Sequence, residues 1–194
     1  MDTRTALLNS AENAARRRGI DGFSYADLAN DVGIRKASIH YHFPKKYDLA
    51  LALIQRYARA FFKRLDRIEQ THATAGAVLR AYLAEYRAAL KNGEMVCLCV
   101  AFSTGRDSLS DAVLGELAAF HEESLTWLSE VFEDAEVDHS ISKLADPGDE
   151  AAACLALVEG AQLLARASGQ MDSFDQAIAV LSGRIVAAPE QIGA

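Results

Sequence analysis

The sequence predicts an all-α fold, and three observations support this. Only 3 of the 194 residues are proline, and residues that favour helix, such as alanine, leucine, glutamate and arginine, are abundant. Apolar residues recur every three or four positions, and no run alternates as a half-buried strand would. With 51% hydrophobic residues, the chain can bury a core without disulfides or metals. We therefore expect about nine helices.

The first three predicted helices are short and closely spaced. Helix 1 covers residues 3–19, and helix 2 begins after the hydroxyl of Ser24, a favourable N-cap. Gly33 breaks the pattern, and helix 3 covers residues 34–43 before it is halted by Pro44. Two short helices joined by a glycine turn predict a helix-turn-helix.

Longer helices are predicted for the rest of the chain. One amphipathic helix is expected from residue 45 to about 70. Helix starts are marked by Ser110, by Asp146-Pro147 and by Ser173. The remaining predicted helices are 74–92, 95–104, 110–134, 148–169 and 173–187.

Charge is unevenly distributed along the chain. The net charge of −7 taken alone argues against a nucleic-acid binder. Residues 1–67, however, hold 13 Lys or Arg against 7 Asp or Glu, a net +6, and the remaining 127 residues hold 7 against 20, a net −13. A helical adaptor has no need of a basic first third that carries a helix-turn-helix. We therefore expect a DNA-binding domain at residues 1–46 and a second helical domain at residues 47–194.

The most specific motif is Tyr41-His42-Phe43 followed by Lys46 and Leu49, within residues 22–49. This stretch closely resembles the signature of the TetR (tetracycline repressor) family of transcriptional regulators, and the order of helices fits that family over the whole length. The resemblance implies a ligand-responsive DNA-binding homodimer. It further implies a repressor that a small molecule releases from an inverted-repeat operator, with residues 47–194 sensing the ligand and forming the dimer.

The start of the recognition helix carries the candidate base-reading residues. Arg35 and Lys36 lie where charged contacts to guanine are geometrically possible. The resemblance implies phosphate contacts from side chains that donate hydrogen bonds, namely Ser24, Tyr41, His42 and Lys46. The full predicted DNA-binding set is Ser24, Tyr25, Arg35, Lys36, Ser38, His40, Tyr41, His42 and Lys46. The alternative is a small buried hairpin with Tyr41 and Phe43 in its core.

Two of these positions depart from the family's pattern. Family members often have a small residue or threonine at the position of Tyr25 and an aromatic residue at that of His40. The operator sequence therefore does not follow from the resemblance.

In the C-terminal half, the resemblance implies that the last two long helices pair with their twins in a four-helix dimer interface. The candidate core residues of that interface are Leu155, Val158, Leu163, Leu164, Ile178, Leu181 and Ile185. Packing within one chain is the alternative. The helices between are expected to enclose an apolar inducer pocket. Its candidate ligand-binding residues are Tyr82, Tyr86, Cys97, Phe102, Phe120, His121, Trp127 and Glu159, although aromatic residues at helical spacing equally predict ordinary core.

The Cys97-x-Cys99 pair suggests an alternative function. Its surroundings resemble a TetR subgroup with a Gly-Cys-Leu motif, some members of which sense electrophiles or oxidants through that cysteine; here Val96 replaces the glycine. The alternative is therefore a thiol-based redox, electrophile or metal-sensing repressor that uses Cys97 and Cys99. The two side chains diverge by about 200° on an ideal helix, so they could share a metal only if a helix starts there. An inert packed thiol is the other interpretation.

Catalytic motifs are missing from the sequence. The zinc-protease pair fails because Leu125 stands four positions after His121, and there is no phosphate-binding glycine loop. We expect a non-enzyme with no cofactor and no metal. The longest apolar run, residues 95–102, is far shorter than the ~20 residues of a membrane helix, and three cysteines without a signal peptide indicate reduced thiols. We therefore expect a cytoplasmic protein with no membrane partner. The inducer, the operator and the direction of regulation cannot be read from the sequence.

Overall fold

The structure is a computed structural model that describes residues 2–186. Within this range it confirms the all-α prediction, with nine α-helices, a 3₁₀ turn at Arg106–Ser108 and one isolated antiparallel bridge between Ile141 and Ile185. The helices are α1 (Thr3–Arg18), α2 (Tyr25–Val32), α3 (Lys36–His42), α4 (Lys46–Thr71), α5 (Ala75–Ala89), α6 (Leu98–Ser103), α7 (Asp111–Asp138), α8 (Pro147–Ser168) and α9 (Met171–Ser182).

The predicted caps of the helix-turn-helix are confirmed. The Ser24 hydroxyl accepts a hydrogen bond from the Asp27 backbone N–H, and the Asp27 carboxylate accepts one from the Ser24 backbone N–H at 2.7 Å, so both orphan donors are satisfied. Gly33 ends α2 at φ +74°, a left-handed conformation that favours glycine. α3 is shorter than predicted, because Arg35 takes an extended N-cap conformation and Phe43, before Pro44, leaves the helical region.

Helix boundaries in the C-terminal half are corrected at three places. α6 begins at Leu98 instead of residue 95, because Cys97 is its extended N-cap. α7 continues to Asp138, past the predicted end at 134. α9 begins at Met171 instead of Ser173. It ends at Ser182, so the predicted helical continuation is wrong over residues 183–186, while residue 187 lies outside the described residues. The start at Asp146-Pro147 is confirmed, because the Asp146 carboxylate accepts from the first backbone N–H groups of α8.

The chain forms two compact units. The first comprises the described part of Met1–Phe62 together with Glu94–His121, and the second comprises Lys63–Gly93 together with the described part of Glu122–Ala194. α4 and α7 each contribute to both. The predicted boundary at residues 46 and 47 does not coincide with this division, because α6 and the start of α7 group with α1–α3. A division of function at that boundary stays a prediction.

The first unit holds the helix-turn-helix through a small apolar core. Leu28 and Phe43, which the sequence predicted to be core, are buried. α1 contributes further buried side chains, namely Leu7, Leu8, Ala11, Ala14 and Ala15. These contacts orient α2 and α3 while most of the α3 surface stays free.

The second unit contains a nearly buried ion pair. The Arg184 guanidinium donates to both carboxylate oxygens of Glu150, at 2.6 and 2.9 Å, and also to the Lys143 carbonyl. The Arg184 hydrogen bonds hold the pKa of the Glu150 carboxyl below its usual value, against the opposing effect of burial. Because Arg184 follows α9 and Glu150 lies at the start of α8, the pair fastens the end of α9.

α8 is a long and largely apolar helix of the second unit. Within residues 2–186, α8 is the one helix that is long and apolar enough to cross a membrane, judged by length and composition alone. Only 39% of its most apolar window is buried. Core and interface helices of water-soluble proteins pass the same test.

Candidate nucleic-acid interface

α3 presents most of its side chains to solvent. Ile39 is its one fully buried anchor, whereas the Tyr41 side chain is 84% exposed. The exposed positions around it carry charged, hydroxyl and imidazole groups at Arg35, Lys36, Ser38 and His40. A large exposed aromatic side chain is unusual on a water-facing helix, and the side chains around Tyr41 can all donate hydrogen bonds. This face is therefore suited to a partner that accepts hydrogen bonds.

A groove of about 460 Å³ opens on this surface between the start of α1 and α3. Its lining residues are Thr3, Ile34, Ala37, Ser38, Tyr41 and His42. Thr3, Ile34 and Ala37 were not among the predicted site residues. No sequence signal marks Thr3, because only the fold brings the start of α1 beside α3.

Tyr25 is placed differently from the other predicted DNA-binding residues. Its side chain is buried, and its hydroxyl donates to the Phe43 carbonyl at 2.9 Å. Burial, with a smaller effect of the Asp48 charge, raises the pKa of Tyr25 to about 12. The residue therefore supports the end of α3 and does not present its hydroxyl to a DNA surface.

The two departures from the family pattern are in contact with each other. The Tyr25 and His40 rings meet edge to face with their centroids 5.0 Å apart. Nδ1 of His40 also lies 3.1 Å from the Pro44 carbonyl oxygen.

Lys46 is half-buried at the start of α4. Its Nζ donates to the Phe23 carbonyl at 2.6 Å and lies 4.7 Å from the centroid of the Phe23 ring. Burial lowers the pKa of Lys46, and the charges of Asp21 and Asp27 oppose this effect. An ammonium carries three N–H donors, so the bond to the Phe23 carbonyl leaves donors available for a phosphate.

The eight predicted ligand-binding residues are distributed over both compact units. Cys97, Phe102, Phe120 and His121 belong to the first, and Tyr82, Tyr86, Trp127 and Glu159 belong to the second. Six of them are buried, while His121 and Glu159 are half-buried.

In the second unit, the aromatic members of this set form one cluster. The Tyr82 ring centroid lies 5.0 Å from that of Tyr86 and 5.4 Å from that of Trp127. Gln162, which was not predicted, is fully buried and donates to the Tyr86 carbonyl at 2.8 Å. An amide among small and apolar residues of α8 was the only available signal for it.

The three cysteines are buried free thiols. Sγ of Cys97 accepts a hydrogen bond from the Val100 backbone N–H at 3.4 Å, as the N-cap of α6. Because the helix starts between Cys97 and Cys99, the 200° divergence expected on an ideal helix does not apply. Over residues 2–186, no group of three or more His, Cys, Asp or Glu is arranged to hold a metal ion. Burial raises the pKa of the Cys154 thiol to about 12.

The predicted dimer residues differ in exposure, and Ile178 and Ile185 are half-buried. Leu155, Val158 and Leu181 are buried within the single chain, so they cannot form the core of an interface. Leu163 and Leu164 are exposed, as is Val180 on α9. Helical spacing explains the difference, because Leu155 and Val158 lie on the inward face of α8, and Leu163 and Leu164 lie on its outer face.

Comparison with known proteins bears directly on the helix-turn-helix. Residues 7–53, which span the described caps, α3 and the start of α4, match the family model of bacterial regulatory proteins, tetR family. The family model, the known relatives and the solved structures all support the TetR family. The chain is also 26% identical over 193 residues to the HTH-type transcriptional repressor NemR of Escherichia coli (strain K12), covering 97% of this chain and 96% of NemR.

Solved structures extend the TetR-family likeness to the whole fold. A TetR-family transcriptional regulator from Agrobacterium tumefaciens superposes with a TM-score of 0.89 at 29% identity, covering 95% of this chain and 97% of that chain. The reduced form of E. coli NemR superposes at 0.80 and 24% identity, covering 97% and 100%, which shows the shared fold. By these comparisons, the chain is a ligand-responsive DNA-binding transcriptional regulator.

Proposed function

We propose that this TetR-family regulator is a repressor that binds an inverted-repeat operator as a homodimer and is released by a small molecule. The single observation that carries the DNA-binding part is the exposed face of α3, with Tyr41 almost fully in solvent above buried Ile39. Arg35 and Lys36 at its N-terminus are proposed to read bases. Ser38, His40, Tyr41, His42 and Lys46 are proposed to bind phosphates, whereas Ser24 donates both its hydroxyl and its backbone N–H to Asp27.

The proposed contacts are tested on an operator selected from random DNA. Lys36→Ala should relax base preference at one position, at a cost of about 1–3 kcal/mol for a lost base contact. Tyr41→Ala should instead weaken binding to all sequences alike. Because Lys46 contacts the Phe23 ring and carbonyl, Lys46→Ala needs a circular dichroism check that the DNA-binding domain remains folded. Undiminished operator binding by the Tyr41→Ala, Lys46→Ala double variant would remove the assignment.

The proposed dimer uses the outer faces of α8 and α9. Their exposed apolar residues include Leu163, Leu164 and Val180. Soluble proteins seldom leave a large apolar surface uncovered. Two copies related by a two-fold axis would present their recognition helices about one DNA turn apart, roughly 34–36 Å. A ligand can then release DNA only by favouring a different spacing.

The proposed inducer site includes the cluster of Tyr82, Tyr86 and Trp127. Trp127 is the single tryptophan of the chain, so tryptophan fluorescence, excited at a wavelength that tyrosine does not absorb, reports on this cluster alone. A compound that releases the operator and binds here should change that fluorescence at the same concentration. A Trp127→Phe variant that still releases DNA but gives no signal provides the control. Release of DNA without any fluorescence change would place the inducer elsewhere.

A second candidate function is thiol sensing through Cys97. The observation that favours it is the position of Cys97 as the N-cap of α6, where its Sγ accepts a hydrogen bond from the Val100 backbone N–H at 3.4 Å. With N-ethylmaleimide, the thiolate sulfur would add to the double bond and the neighbouring carbon would take up a proton. Operator release by this reagent should be lost in Cys97→Ser and retained in Cys99→Ser. Equal release from Cys97→Ser and the unaltered protein would leave Cys97 as packing.

A further inference from the structure

The entry to α6 is fastened to the end of α1 by a reciprocal pair of hydrogen bonds. Nε of Arg16 donates to the Val96 carbonyl at 2.9 Å, and the Val96 backbone N–H donates to the Arg16 carbonyl at 3.1 Å. We call this the Arg16–Val96 clamp. Val96 immediately precedes Cys97, the N-cap of α6. The clamp therefore sets the position of the first turn of α6 relative to α1.

Two neighbouring contacts hold the same segment against α1 and the turn that follows it. Arg17 pairs with Glu94 at 2.6 Å, but both side chains are largely exposed, so this pair contributes little. At the other end of α6, Gly105 comes so close to Ile20 that a Cβ would lie 3.2 Å from the Ile20 side chain. The Arg16 side chain is only 13% exposed, so its bond is the best shielded from water.

Arg16 also connects to α4 through the carboxylate of Glu12. Glu12 lies 3.7 Å from the Arg16 guanidinium and 2.6 Å from that of Arg56 on α4. Arg56 donates in addition to the Asn9 side chain on α1, at 2.8 Å. One continuous set of polar contacts thus runs from Val96 through α1 to α4. All of its members belong to the compact unit that carries α2 and α3.

We infer that Arg16 is a positioning residue that transmits displacement of the α6 entry to the DNA-reading helices. A movement of Val96 must either break both bonds of the clamp or move the end of α1. α1 ends at Arg18, shortly before the α2 cap at Ser24, so its movement shifts α2 and α3. This inference rests on the proposed function, because DNA affinity is the property that the displacement changes.

The test is a double-mutant cycle on a selected operator. Cys97→Phe places a large side chain at a buried position and should push the α6 entry outward. We expect it to weaken operator binding at least tenfold in the otherwise unaltered protein. In the Arg16→Met background, which keeps the packing but lacks the donor, the same change should weaken binding less than threefold. Arg16→Met alone should stay within threefold of the unaltered affinity, and Arg16→Lys should recover part of the coupling.

Arg18→Met is the matched control, because it removes an exposed arginine from the same helix end. In this background the tenfold effect of Cys97→Phe should persist. If Cys97→Phe weakens binding by the same factor with and without Arg16→Met, the two changes are simply additive and the inference is overturned. An absence of any effect of Cys97→Phe in the unaltered protein would overturn it as well.

A second variant and a second measurement complete the test. If circular dichroism shows that Cys97→Phe does not fold, the cycle is run with Cys97→Val, which adds less side-chain volume. Amide hydrogen exchange should show that Arg16→Met loses protection at Val96 while the core amides of α1 keep theirs. Failure to select any operator would count against the proposed function, whereas specific binding with an additive cycle would count against the role of Arg16 alone.

Discussion

At the scale of single residues, Tyr25 and Tyr41 illustrate two uses of one side chain. Tyr25→Phe leaves the buried Phe43 carbonyl without its donor, so we expect the free energy of unfolding to fall by about 1–3 kcal/mol. Tyr41→Phe, at an exposed position, should change it by less than about 0.5 kcal/mol. Urea denaturation followed by circular dichroism measures both. Equal losses of stability would show that the Tyr25 hydrogen bond contributes nothing.

The same two variants should rank in the opposite order in operator binding. Folded Tyr25→Phe keeps the α3 surface, whereas Tyr41→Phe removes a proposed phosphate donor. A sequence motif alone does not separate these roles, because both tyrosines flank the same glycine turn. Only the burial of Tyr25 against Phe43 and His40 distinguishes them.

The Glu150–Arg184 pair predicts a pH dependence of stability. Because the pKa of Glu150 is lower in the folded chain, its stabilising effect is present above the unfolded value and is lost as pH falls through the folded value. Below about pH 4.5, the free energy of unfolding should therefore fall less steeply in Glu150→Gln than in the unaltered protein. Denaturant titrations from pH 3 to 7 measure the two slopes. Asp175→Asn, which removes a more exposed pair with Arg87, should flatten the curve less.

At the scale of secondary-structure elements, the α2–α3 turn depends on a glycine conformation. Gly33→Ala forces a side chain into the left-handed region and should cost about 1–2 kcal/mol, although nothing crowds the added Cβ. Gly115→Ala, in the exposed part of α7 with equally open space, should instead stabilise by about 0.5–1 kcal/mol. Thermal unfolding of both variants compares the signs. Stabilisation by Gly33→Ala would contradict the conformational argument.

Helix starts were predictable where a side chain caps them by a common mechanism. Ser24 with Asp27, and Asp146 before Pro147, are strong signals, and both starts were located correctly. The start of α6 was not, because the apolar run from residue 95 to 102 continues unbroken across it and a cysteine N-cap is an unusual signal. The start of α9 was also misplaced, since Gln170 makes no side-chain cap and a serine inside the helix resembled one.

The candidate site was predictable only in part, for a similar reason. The motif around Tyr41 identifies the exposed face of α3, because helix-turn-helix geometry is local in sequence. Thr3 in the α3 groove, Gln162 beside Tyr86 and Arg16 at Val96 depend on contacts between distant segments. Those contacts follow from tertiary packing and leave no periodic signal in the sequence.

At the scale of the whole molecule, the outer face of α8 should control assembly. Leu164 is 59% exposed, so Leu164→Glu should leave the single chain folded while placing a charge in the proposed interface. We expect sedimentation at micromolar concentration to show a monomer and operator binding to weaken at least tenfold. Val137→Glu, at an 80% exposed position on α7, should leave both properties unchanged. An unaltered dimer in Leu164→Glu would exclude this face as the interface.

The proposed pairing of the exposed apolar residues of α8 predicts that stability depends on protein concentration. If covering this face is part of the native state, then folding and assembly form one equilibrium, and mass action favours the native form as concentration rises. The unfolding temperature should then increase with total protein concentration, and this increase should disappear in Leu164→Glu. A regulator built in this way has a minimum abundance below which it is neither fully assembled nor fully protected from degradation.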